Sequence, residues 1–526
     1  MKRSLLALCL VACAPPASVV DSGTMDAGLS DAGLLDSGLF DAGSPDGGAH
    51  AALWHSRANE AFEAVLLAYW NGSHSYLEQQ SPRNGALTGY WVFAQALDLV
   101  LDNAGSTPGR YAAWVETFYL AQSARGWHPD YFDDLNWMAL ALMRAYDFTG
   151  KTKYLDRAQA LFNDIKQNAV DSTCCGNPAG GLWWDRAHTQ KATAINAGAV
   201  ITALRLATRK NQPALVQFAV DTYAYWRSRM VEPQGFRVWD HLKPDGSITT
   251  WRFTYNEGLM LGAALELHRA TGLPQYLTDA RGFAEALVTS QVKAGPLGDV
   301  LNDGPAANCT GDCPVFKGIG FRYLASFQRE FPTPEVARVL SSSAESIWNV
   351  ARATNGAHFA IDWAASAPPT FLLNADLAGA MALSAYASTL SPSQAPFAAG
   401  RLEGEEAVLV GVGLEASQAG HTGFGYLAGW NRPGTWAQFS LRVPDAGTYA
   451  LDVAYSAGAG QAVRRVSVNG AAGGASWNFA PTSSWSSWAK ATHSLTLPGG
   501  EVTVTLHCEG DAGSDGYLNL DSITVR

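Results

Sequence analysis

The chain has 526 residues, of which 47% are hydrophobic, 11% aromatic and 16% charged, which is typical of a globular protein long enough for more than one domain. The net charge of −11, with no basic stripe along the sequence, argues against nucleic acid as a partner. Eighteen tryptophans are a high number. Large aromatic side chains serve either as core or as platforms on which sugar rings stack.

The first residues have the features of an export signal. The positive start MKR precedes the apolar run LLALCLVACA, which is too short to span a bilayer as a stable helix. Leu10-Val11-Ala12-Cys13 resembles a bacterial lipobox, which implies lipidation of Cys13. The alternative is a plain signal peptide cut near Ala14. We therefore expect a lipoprotein at the cell surface or in the periplasm, or a secreted protein, with residues 1–13 as its signal peptide.

Residues 14–50 have the composition of a tether. They contain six five-residue units that begin with Asp and have Gly third, from DSGTM to DGGAH. Asp and Gly at this density oppose both helix and sheet, which predicts a flexible, disordered acidic linker. A short calcium-binding repeat is the functional alternative, although its ligand pattern matches no known loop.

Five further cysteines are consistent with export. In an oxidising compartment Cys309 and Cys313 are expected to bridge each other or the pair Cys174 and Cys175, and sequence alone leaves the connectivity open. Cys508 is the fifth. Zinc is a weaker alternative, since no histidine stands at ligand spacing near either pair.

A helical pattern covers the next part of the chain, and we assign residues 51–391 to one helical domain. Apolar residues recur at spacings of three and four, with Gly, Pro, Asn and Asp at the breaks. This pattern predicts twelve helices, near 54–71, 90–102, 110–124, 133–148, 152–168, 191–209, 213–230, 256–270, 275–292, 317–330, 334–351 and 371–390.

An internal repeat indicates how these helices are arranged. AYDFTGKTKYLDRAQALF (145–162) is similar to LELHRATGLPQYLTDARGFAEAL (265–287), and related segments lie at 206–219 and 325–340. One helical hairpin therefore recurs about every 61 residues. Six hairpins in series, with inner helices rich in Gly and Ala, predict an all-α (α/α)6 toroid rather than the alternative, an open α-solenoid.

In a toroid all inner helices begin at the same end. Their predicted openings each carry polar or charged groups, and the loops at that end are aromatic, as in RGWHPDYF, GGLWWDR and GFRVWDHL. Polar side chains converging between tryptophans are typical of a sugar cleft. Helix capping accounts for one such opening, but not for six at one end.

Asp133 and Asp134 stand side by side at the opening DDLNW. Acids are common in the first turn of a helix, which is the structural alternative. Glycoside hydrolysis instead requires two carboxyl groups that flank the scissile bond, about 5–5.5 Å apart in a retaining enzyme. Neighbouring helical residues point about 100° apart, which favours the shorter, retaining spacing. One acid would be stabilised as an ion by the helix N-terminus, and its charge would raise the pKa of the other.

These blocks together resemble glycoside hydrolase family 76. The resemblance runs from about 54 to 390 and rests on DDLNWMALALMRAYDFTGKTKYL, GGLWWDR, KATAIN, FTYNEGLMLGAALELHRATG and FKGIGFRYLASF. It implies an (α/α)6 fold and retaining endo-hydrolysis of α-1,6-mannan, with Asp133 as nucleophile and Asp134 as acid/base. Fungal members are thought to be transglycosylases, so transglycosylation remains an alternative.

The resemblance also implies residues that line the sugar subsites, with a structural role as the alternative for each. Two departures from the family are Glu257, where Gln is frequent, and Ala192, where Asn is frequent. An extra acid near the cleft would change a subsite. The implied substrate-binding residues are Trp137, Lys191, Asn196, Tyr255, Asn256, Lys317 and Arg322.

The periodicity changes after a linker at 392–400. Alternating segments such as TWAQFSLRV, GTYALDVAYS and EVTVTLHC, separated by Gly-rich turns, predict an all-β jelly-roll-like β-sandwich over 401–526. LEGEEA, GYLAGW, SVNG and NLDSITV resemble carbohydrate-binding modules of families 6 and 35. This resemblance implies a structural calcium at Glu403, Glu405 and Asp521, with ordinary strand-edge acids as the alternative, and sugar contacts from Tyr426, Trp485 and Asn519.

The combined prediction is an exported, monomeric retaining endo-glycosidase that needs no cofactor for catalysis. Its expected partners are α-mannan and, through a lipid anchor only, a membrane. The alternatives are a hydrolase or transglycosylase on another polysaccharide, a surface protein that binds glycan without cleaving it, and a scaffolding solenoid.

Overall fold

A computed structural model describes residues 45–106, 109–176, 179–304, 309–367, 369–390, 400–471, 474–510 and 516–526. The signal peptide, Cys13 and most of the tether lie outside these residues, as does the linker up to residue 399. Residues 45–50 belong to the first helix, so helical structure begins inside the segment predicted as tether. None of the described helices has the length and apolar character needed to cross a membrane.

The described part of the N-terminal region confirms the twelve predicted helices. The repeated Thr-Gly pairs end two of them, because Gly150 and Gly272 take left-handed conformations, with φ of 69° and 68°, that a residue with a side chain rarely adopts. The helices are α1 (Pro45–Tyr69), α2 (Tyr90–Ser106), α3 (Ala112–Arg125), α4 (Phe132–Thr149), α5 (Thr152–Asn168), α6 (Thr193–Arg209), α7 (Ala214–Met230), α8 (Thr254–Thr271), α9 (Pro274–Ser290), α10 (Cys313–Glu330), α11 (Pro334–Asn349) and α12 (Leu373–Ala387).

The helices form two concentric rings. Each even-numbered helix packs against the next, and α12 packs against α2, which closes the inner ring. Small residues allow this close approach: a Cβ added to Gly258 of α8 would lie 2.9 Å from the Cα of Gly320 in α10. The odd-numbered helices pack outside. The closed ring confirms the (α/α)6 toroid and is incompatible with an open solenoid.

Short strands tie the loops at the end where the inner helices begin. Gln80 and Ser81 pair with Leu372 and Phe371, so the first loop of the domain is joined to the last. A three-stranded sheet of β4, β5 and β6 precedes α6 and α8. The strands are β1 (Trp70–Asn71), β2 (Tyr76–Leu77), β3 (Gln80–Ser81), β4 (Lys191–Ala192), β5 (His241–Leu242), β6 (Ile248–Thr249), β7 (Val292–Gly295), β8 (Gly298–Leu301) and β9 (Phe371–Leu372).

The C-terminal region is the predicted β-sandwich. One sheet has the order β12-β13-β20-β15-β18, with β10 also paired to β20, and the other has the order β11-β14-β19-β16-β17. Alternate residues of β14 point into the core between the sheets. The strands are β10 (Arg401–Glu403), β11 (Val408–Val410), β12 (Gly413–Glu415), β13 (Tyr426–Ala428), β14 (Thr435–Val443), β15 (Gly447–Ser456), β16 (Ala462–Val468), β17 (Ala475–Phe479), β18 (Ala489–Leu497), β19 (Gly500–Cys508) and β20 (Asn519–Val525).

The sandwich is seated directly on the toroid. The Trp114 indole N–H of α3 donates to the Glu405 carbonyl at 2.8 Å, and the Trp70 indole N–H donates to the Val412 carbonyl at 3.1 Å. The Leu409 N–H donates to the Thr117 hydroxyl at 3.0 Å. All three toroid side chains are buried. Buried aromatic side chains with satisfied hydrogen bonds fix the orientation of the two domains.

Candidate active site

The head of α4 is built by a neighbouring loop. Helix α4 begins at Phe132, after Tyr131, whose backbone is extended and whose side chain does not cap the helix. The Phe132 N–H donates instead to the Trp184 carbonyl at 2.7 Å. Trp184 N–H in turn donates to the Gln190 carbonyl at 2.8 Å. Loop 181–190 therefore lies over the first turn of α4, where Asp133 and Asp134 stand.

The two aspartates have different environments. Burial raises the pKa of Asp133 to about 7, while hydrogen bonds from the Trp184 indole and from the backbone N–H groups of Asp133 and Asp134 favour its ionised form. Burial raises the pKa of Asp134 further, and the charges of Asp133 and Asp312 add to this rise. Among the residues that the structure describes, none gives Asp134 a hydrogen bond that opposes this rise. Asp133 is thus suited to be the ionised nucleophile and Asp134 the protonated acid.

Asp312 is a third acid at this site, which the sequence analysis missed. It precedes α10, and its charge raises the pKa of both Asp133 and Asp134. Burial raises its own pKa, and a hydrogen bond from Trp91 opposes that rise. The sequence held a signal for it, because Asp312 lies beside Cys313 and five residues before the predicted inner helix 317–330.

Aromatic side chains wall the site on one flank. The charge of Asp134 adds to the burial that raises the pKa of Tyr76 and Tyr90, which places both phenols near that carboxyl group. A cavity of about 420 Å³ opens beside them, a volume in the range of small-molecule sites. Its lining includes Gln122, Arg125 and Trp127.

Tyr255 and Asn256 of α8 share one acceptor, and Tyr255 lies near Asp133. The Tyr255 hydroxyl donates to Asp240 Oδ1 at 2.7 Å, and Asn256 Nδ2 donates to the same oxygen at 3.2 Å. Burial raises the pKa of Tyr255, as do the charges of Asp240 and Asp133. Asp240 also contacts His241 Nδ1 at 2.8 Å. The loop GFRVWDHL was predicted to lie at this end of the toroid, but Asp240 was not predicted as the residue that orients Tyr255.

This arrangement of two adjacent carboxyl groups with different environments in a ring of six helical hairpins agrees with the family comparison. The model of glycosyl hydrolase family 76 matches residues 54–398, which is more than half of the chain. The chain belongs to this family. Residues 409–526 match the carbohydrate binding module of family 6.

Solved family 76 structures share the fold. The α-1,6-mannanase from Salegentibacter sp. HEL1_6 is 26% identical, with a TM-score of 0.58 over 64% of this chain and 99% of that chain. An inactive variant of the same enzyme, with two aspartates adjacent in sequence replaced by alanine, was solved with α-1,6-mannotetrose; it is 25% identical, with a TM-score of 0.57, and covers 64% and 99% of the two chains.

Curated relatives match over shorter stretches. Mannan endo-1,6-alpha-mannosidase of Saccharomyces cerevisiae is 29% identical over 210 residues, which are 36% of this chain and 45% of that protein. Isomaltosyltransferase of Sporosarcina globispora is 34% identical over 123 residues, 23% of this chain and 11% of that protein. The chain thus spans about a tenth of the bacterial relative and less than half of the yeast one.

The polar atoms of two predicted subsite residues of this family 76 domain bond to the chain that follows α5, between Asp171 and Leu182. Lys191 is fully buried, and its Nζ donates to Asp171 Oδ2 at 2.6 Å and to the carbonyls of Cys174 and Gly180. The Asn196 amide bonds both the N–H and the carbonyl of Leu182. In this structure their polar atoms therefore support loop 171–182 rather than a sugar.

Lys317 and Arg322 are also engaged within the protein. Lys317 Nζ donates to the Ile361 carbonyl and lies 4.6 Å from the Trp363 ring centroid, and burial lowers its pKa to about 8. Arg322 pairs with Asp98 and Asp102 of α2, each at 3.2 Å. Trp137 lies one helical turn after Asp133 on α4 and is 7% exposed. Of these predicted subsite residues, Trp137 therefore departs least from its expected place beside the pair.

Glu257 does not extend the cleft, contrary to the expectation that an extra acid would alter a subsite. It is fully buried and accepts from the Val238 N–H at 3.2 Å and from Gln291 Nε2 at 3.4 Å. Arg252 lies 3.7 Å away. Burial raises its pKa to about 7. These contacts join α8 to the loop before β5 and to the residue that follows α9.

The disulfides settle the open pairing. Cys309 bonds to Cys313, and Cys174 bonds to its neighbour Cys175. Cys508 is a buried free thiol. Both disulfides lie in loops at the cleft end of the toroid, one beside Asp312 and the other beside Lys191. Among the described residues, no group of three His, Cys, Asp or Glu side chains is placed to hold a metal.

The predicted sugar-binding residues of the module differ in exposure, and two of them lie close together, because Ser456 pairs with Asn519 and its hydroxyl donates to the Trp485 carbonyl at 3.0 Å. Tyr426 is fully buried, and its ring packs against Trp488 with centroids 5.2 Å apart, so it presents no face to a sugar here. Trp485 is half-buried and lies edge-on to Tyr517 at 6.4 Å. Asn519 begins β20 and is 8% exposed. Tyr517, which the sequence analysis did not select, is therefore the ring that accompanies Trp485.

Two of the three predicted calcium ligands contact Thr422. Its hydroxyl oxygen lies 2.8 Å from Glu403 and 2.9 Å from Asp521, which share its one proton, and Arg401 pairs with both of these acids. Glu405 accepts from the Phe424 N–H, but its Oε2 is buried with no hydrogen-bond partner among the described residues. Burial, together with nearby acids, raises the pKa of Glu405 to about 9. A carboxylate oxygen without a hydrogen-bond partner can serve as a ligand to a cation, although Arg401 already supplies positive charge to Glu403 and Asp521.

If Asp133 and Asp134 carry out the reaction, the three acids near the head of α4 predict a specific pH profile. kcat/KM should be bell-shaped, rising with pH near 7 as Asp133 ionises and falling at higher pH as Asp134 loses its proton. Asp312→Asn removes a negative charge that raises both pKa values, so both limbs should move to lower pH. The matched control Asp130→Asn, an exposed acid in the preceding loop, should leave the profile unchanged. Limbs that stay in place in Asp312→Asn would contradict the assignment.

Proposed function

We propose that this protein is a retaining endo-α-1,6-mannanase. The observation that carries the proposal is that the sequence contains one adjacent pair of aspartates, Asp133–Asp134, and that this pair stands in the cleft end of a family 76 toroid. The related Salegentibacter enzyme is an α-1,6-mannanase, and its inactive variant lacks two adjacent aspartates. The yeast relative is a mannan endo-1,6-alpha-mannosidase.

The chemistry follows from the environments of the two acids. Asp133 attacks the anomeric carbon while Asp134 gives its proton to the leaving glycosidic oxygen, which breaks the glycosidic bond and forms a mannosyl ester on Asp133. Asp134, now ionised, takes a proton from water, and the water oxygen displaces Asp133. Two inversions at one carbon retain the α configuration. Tyr255, oriented by Asp240, lies beside Asp133 and is placed to position the reacting sugar.

The test is product release from unbranched α-1,6-mannan. We expect short manno-oligosaccharides from the middle of the chain, with the α anomer formed first when the reaction is followed by proton NMR. Products longer than an oligosaccharide substrate would indicate transglycosylation. Binding of the polymer without any release would indicate a glycan-binding protein, and an initial β anomer would rule out retention.

We propose in addition that Glu403, Glu405 and Asp521 bind a structural calcium in the module, although the structure does not gather their three carboxyl groups closely enough to hold one. The unpartnered Oε2 of Glu405 supports this, and Arg401 is the alternative counter-charge. Calcium would bind the folded state alone, so chelation by EDTA should lower the Tm by several degrees and added calcium should restore it. Glu405→Gln should remove this response. If neither EDTA nor calcium changes the Tm of the wild type, Arg401 alone balances the negative charge of these acids.

We further propose export with a lipid anchor at Cys13. The two disulfides in the described part of the chain support an oxidising compartment. Membrane fractionation of the wild type and of Cys13→Ala tests the anchor, because only the wild type should sediment with membranes.

A further inference from the structure

We propose that Trp251 is an outer sugar-stacking platform of the cleft. It would bind a mannosyl unit of the chain beyond those units held directly over Asp133 and Asp134. This inference rests on the proposed function and deepens it, because it makes the enzyme's efficiency depend on the length of the glycan.

Trp251 is more exposed to solvent than the other large apolar side chains that the structure describes. Its side chain is 62% exposed, the largest value among the exposed large apolar residues that the structure describes. Only one other aromatic belongs to that group, Tyr131, which is 42% exposed. Tyr131 directly precedes α4, and Trp251 lies three residues before α8. Both therefore stand at the end of the toroid where the inner helices begin, which is the end that holds the catalytic pair.

A single exposed apolar side chain is ordinary in a soluble protein, so exposure alone carries no function. Trp251, however, is held in place. Its ring lies edge-on to His241 with centroids 5.7 Å apart, and His241 Nδ1 contacts Asp240 at 2.8 Å. His241 belongs to β5, whose pairing with β4 and β6 fixes the loop. A platform fixed before binding loses little conformational entropy when the ligand arrives.

A continuous series of rings joins Trp251 to the catalytic pair. Trp251 and Phe253 have centroids 6.4 Å apart, and Phe253 stacks on Tyr255 at 6.0 Å. Tyr255 lies close enough to Asp133 to sense its charge. Phe316, 4.4 Å from Tyr255, continues the wall on the α10 side. A glycan that leaves the pair along this wall would reach Trp251 two rings further out.

The chemistry of the ligand follows from this surface. A pyranose offers an apolar C–H face to an aromatic ring, and the edge of the same sugar keeps its hydroxyls in water. A flexible α-1,6-linked chain therefore suits an exposed indole at the rim better than a protein partner, which would require a larger apolar patch around it. The described exposed aromatics nearby offer no such patch.

The test measures kcat/KM over a series of α-1,6-manno-oligosaccharides of rising length and on the polymer. Trp251→Ala should lose about tenfold on the polymer and on long oligosaccharides, but less than about twofold on the shortest one cleaved. Trp251→Phe should keep most of the wild-type rate on all of them. The control is Leu273→Ala, an exposed apolar residue at the opposite end of α8, which should behave as wild type.

A second measurement separates binding from folding. In an Asp134→Asn background, calorimetric titration with a long oligosaccharide should give a Kd about tenfold weaker when Trp251→Ala is added, with an unchanged Tm. Equal losses at every chain length, or no loss at any, would overturn the inference. Wild type that releases nothing from mannan would refute the proposed function, whereas active wild type with an unaffected Trp251→Ala would refute only the platform.

Discussion

Asp133→Gly and Asp134→Gly should each reduce hydrolysis of α-1,6-mannan by roughly 10³-fold or more, because in the proposed mechanism one removes the nucleophile and the other the acid. The two variants should differ when azide is added with a mannoside that carries a good leaving group. In Asp133→Gly azide replaces the missing carboxylate and gives the β-mannosyl azide. In Asp134→Gly the ester on Asp133 still forms, and azide then displaces it to give the α-mannosyl azide. NMR of the two products assigns the roles.

The control for this experiment is Asp130→Asn, which should retain wild-type activity. Azide products with the opposite anomers would exchange the roles of Asp133 and Asp134. Equal loss without any azide rescue would indicate that the pair orients the substrate rather than reacting with it. Retention of mannanase activity in both glycine variants would refute the role of the pair altogether.

The buried pair also carries a cost in stability. Since the folded-state pKa of Asp134 is raised above its unfolded value near 4, the folded state binds more protons, and stability falls as pH rises through and above that unfolded value. Asp134→Asn should therefore have a higher Tm than wild type at pH 8 and a nearly equal Tm at pH 4. A stable but inactive Asp134→Asn would show that the loss of activity is not a loss of folding.

The sequence predicted the fold well because local signals and the repeat agreed. All twelve helices follow from apolar spacing, and the recurring Thr-Gly turns set the hairpin period. The position of Asp133 and Asp134 followed from the same argument, since inner helices of a toroid begin at one end. Asp312 and Asp240 were harder to predict, because their importance depends on which side chains face them across the ring.

The subsite residues were predicted least well. Lys191 and Asn196 stand in the sequence at the opening of an inner helix, where the cleft was predicted. Their side chains nevertheless bond to residues between Asp171 and Leu182. A motif records that a residue type stands at a position, but it does not say whether its polar atoms face the sugar or the protein. Tyr426 is similar, because its burial depends on Trp488, which comes 62 positions later in the chain.

At Arg322, a structural role and a sugar-binding role predict clearly different effects of a substitution. Arg322 of α10 and Arg144 of α4 both pair with Asp98 and Asp102 of α2, so one network joins three inner helices. Although burial raises the pKa of Asp102, the two arginines hold it below its usual value. Arg322→Met would leave two largely buried carboxylates with one arginine, which should cost about 3 kcal/mol of the free energy of unfolding.

Thermal and denaturant unfolding should therefore show a Tm lower by several degrees for Arg322→Met, while kcat/KM measured well below that Tm stays within about threefold of wild type. The matched control is Arg338→Met, which removes an exposed pair with Asp299 and should cost less than about 0.5 kcal/mol. A subsite arginine would give the reverse pattern, with an unchanged Tm and a raised KM. We expect the loss of stability rather than the raised KM, because the Arg322 guanidinium is already paired with two carboxylates of the neighbouring helix α2.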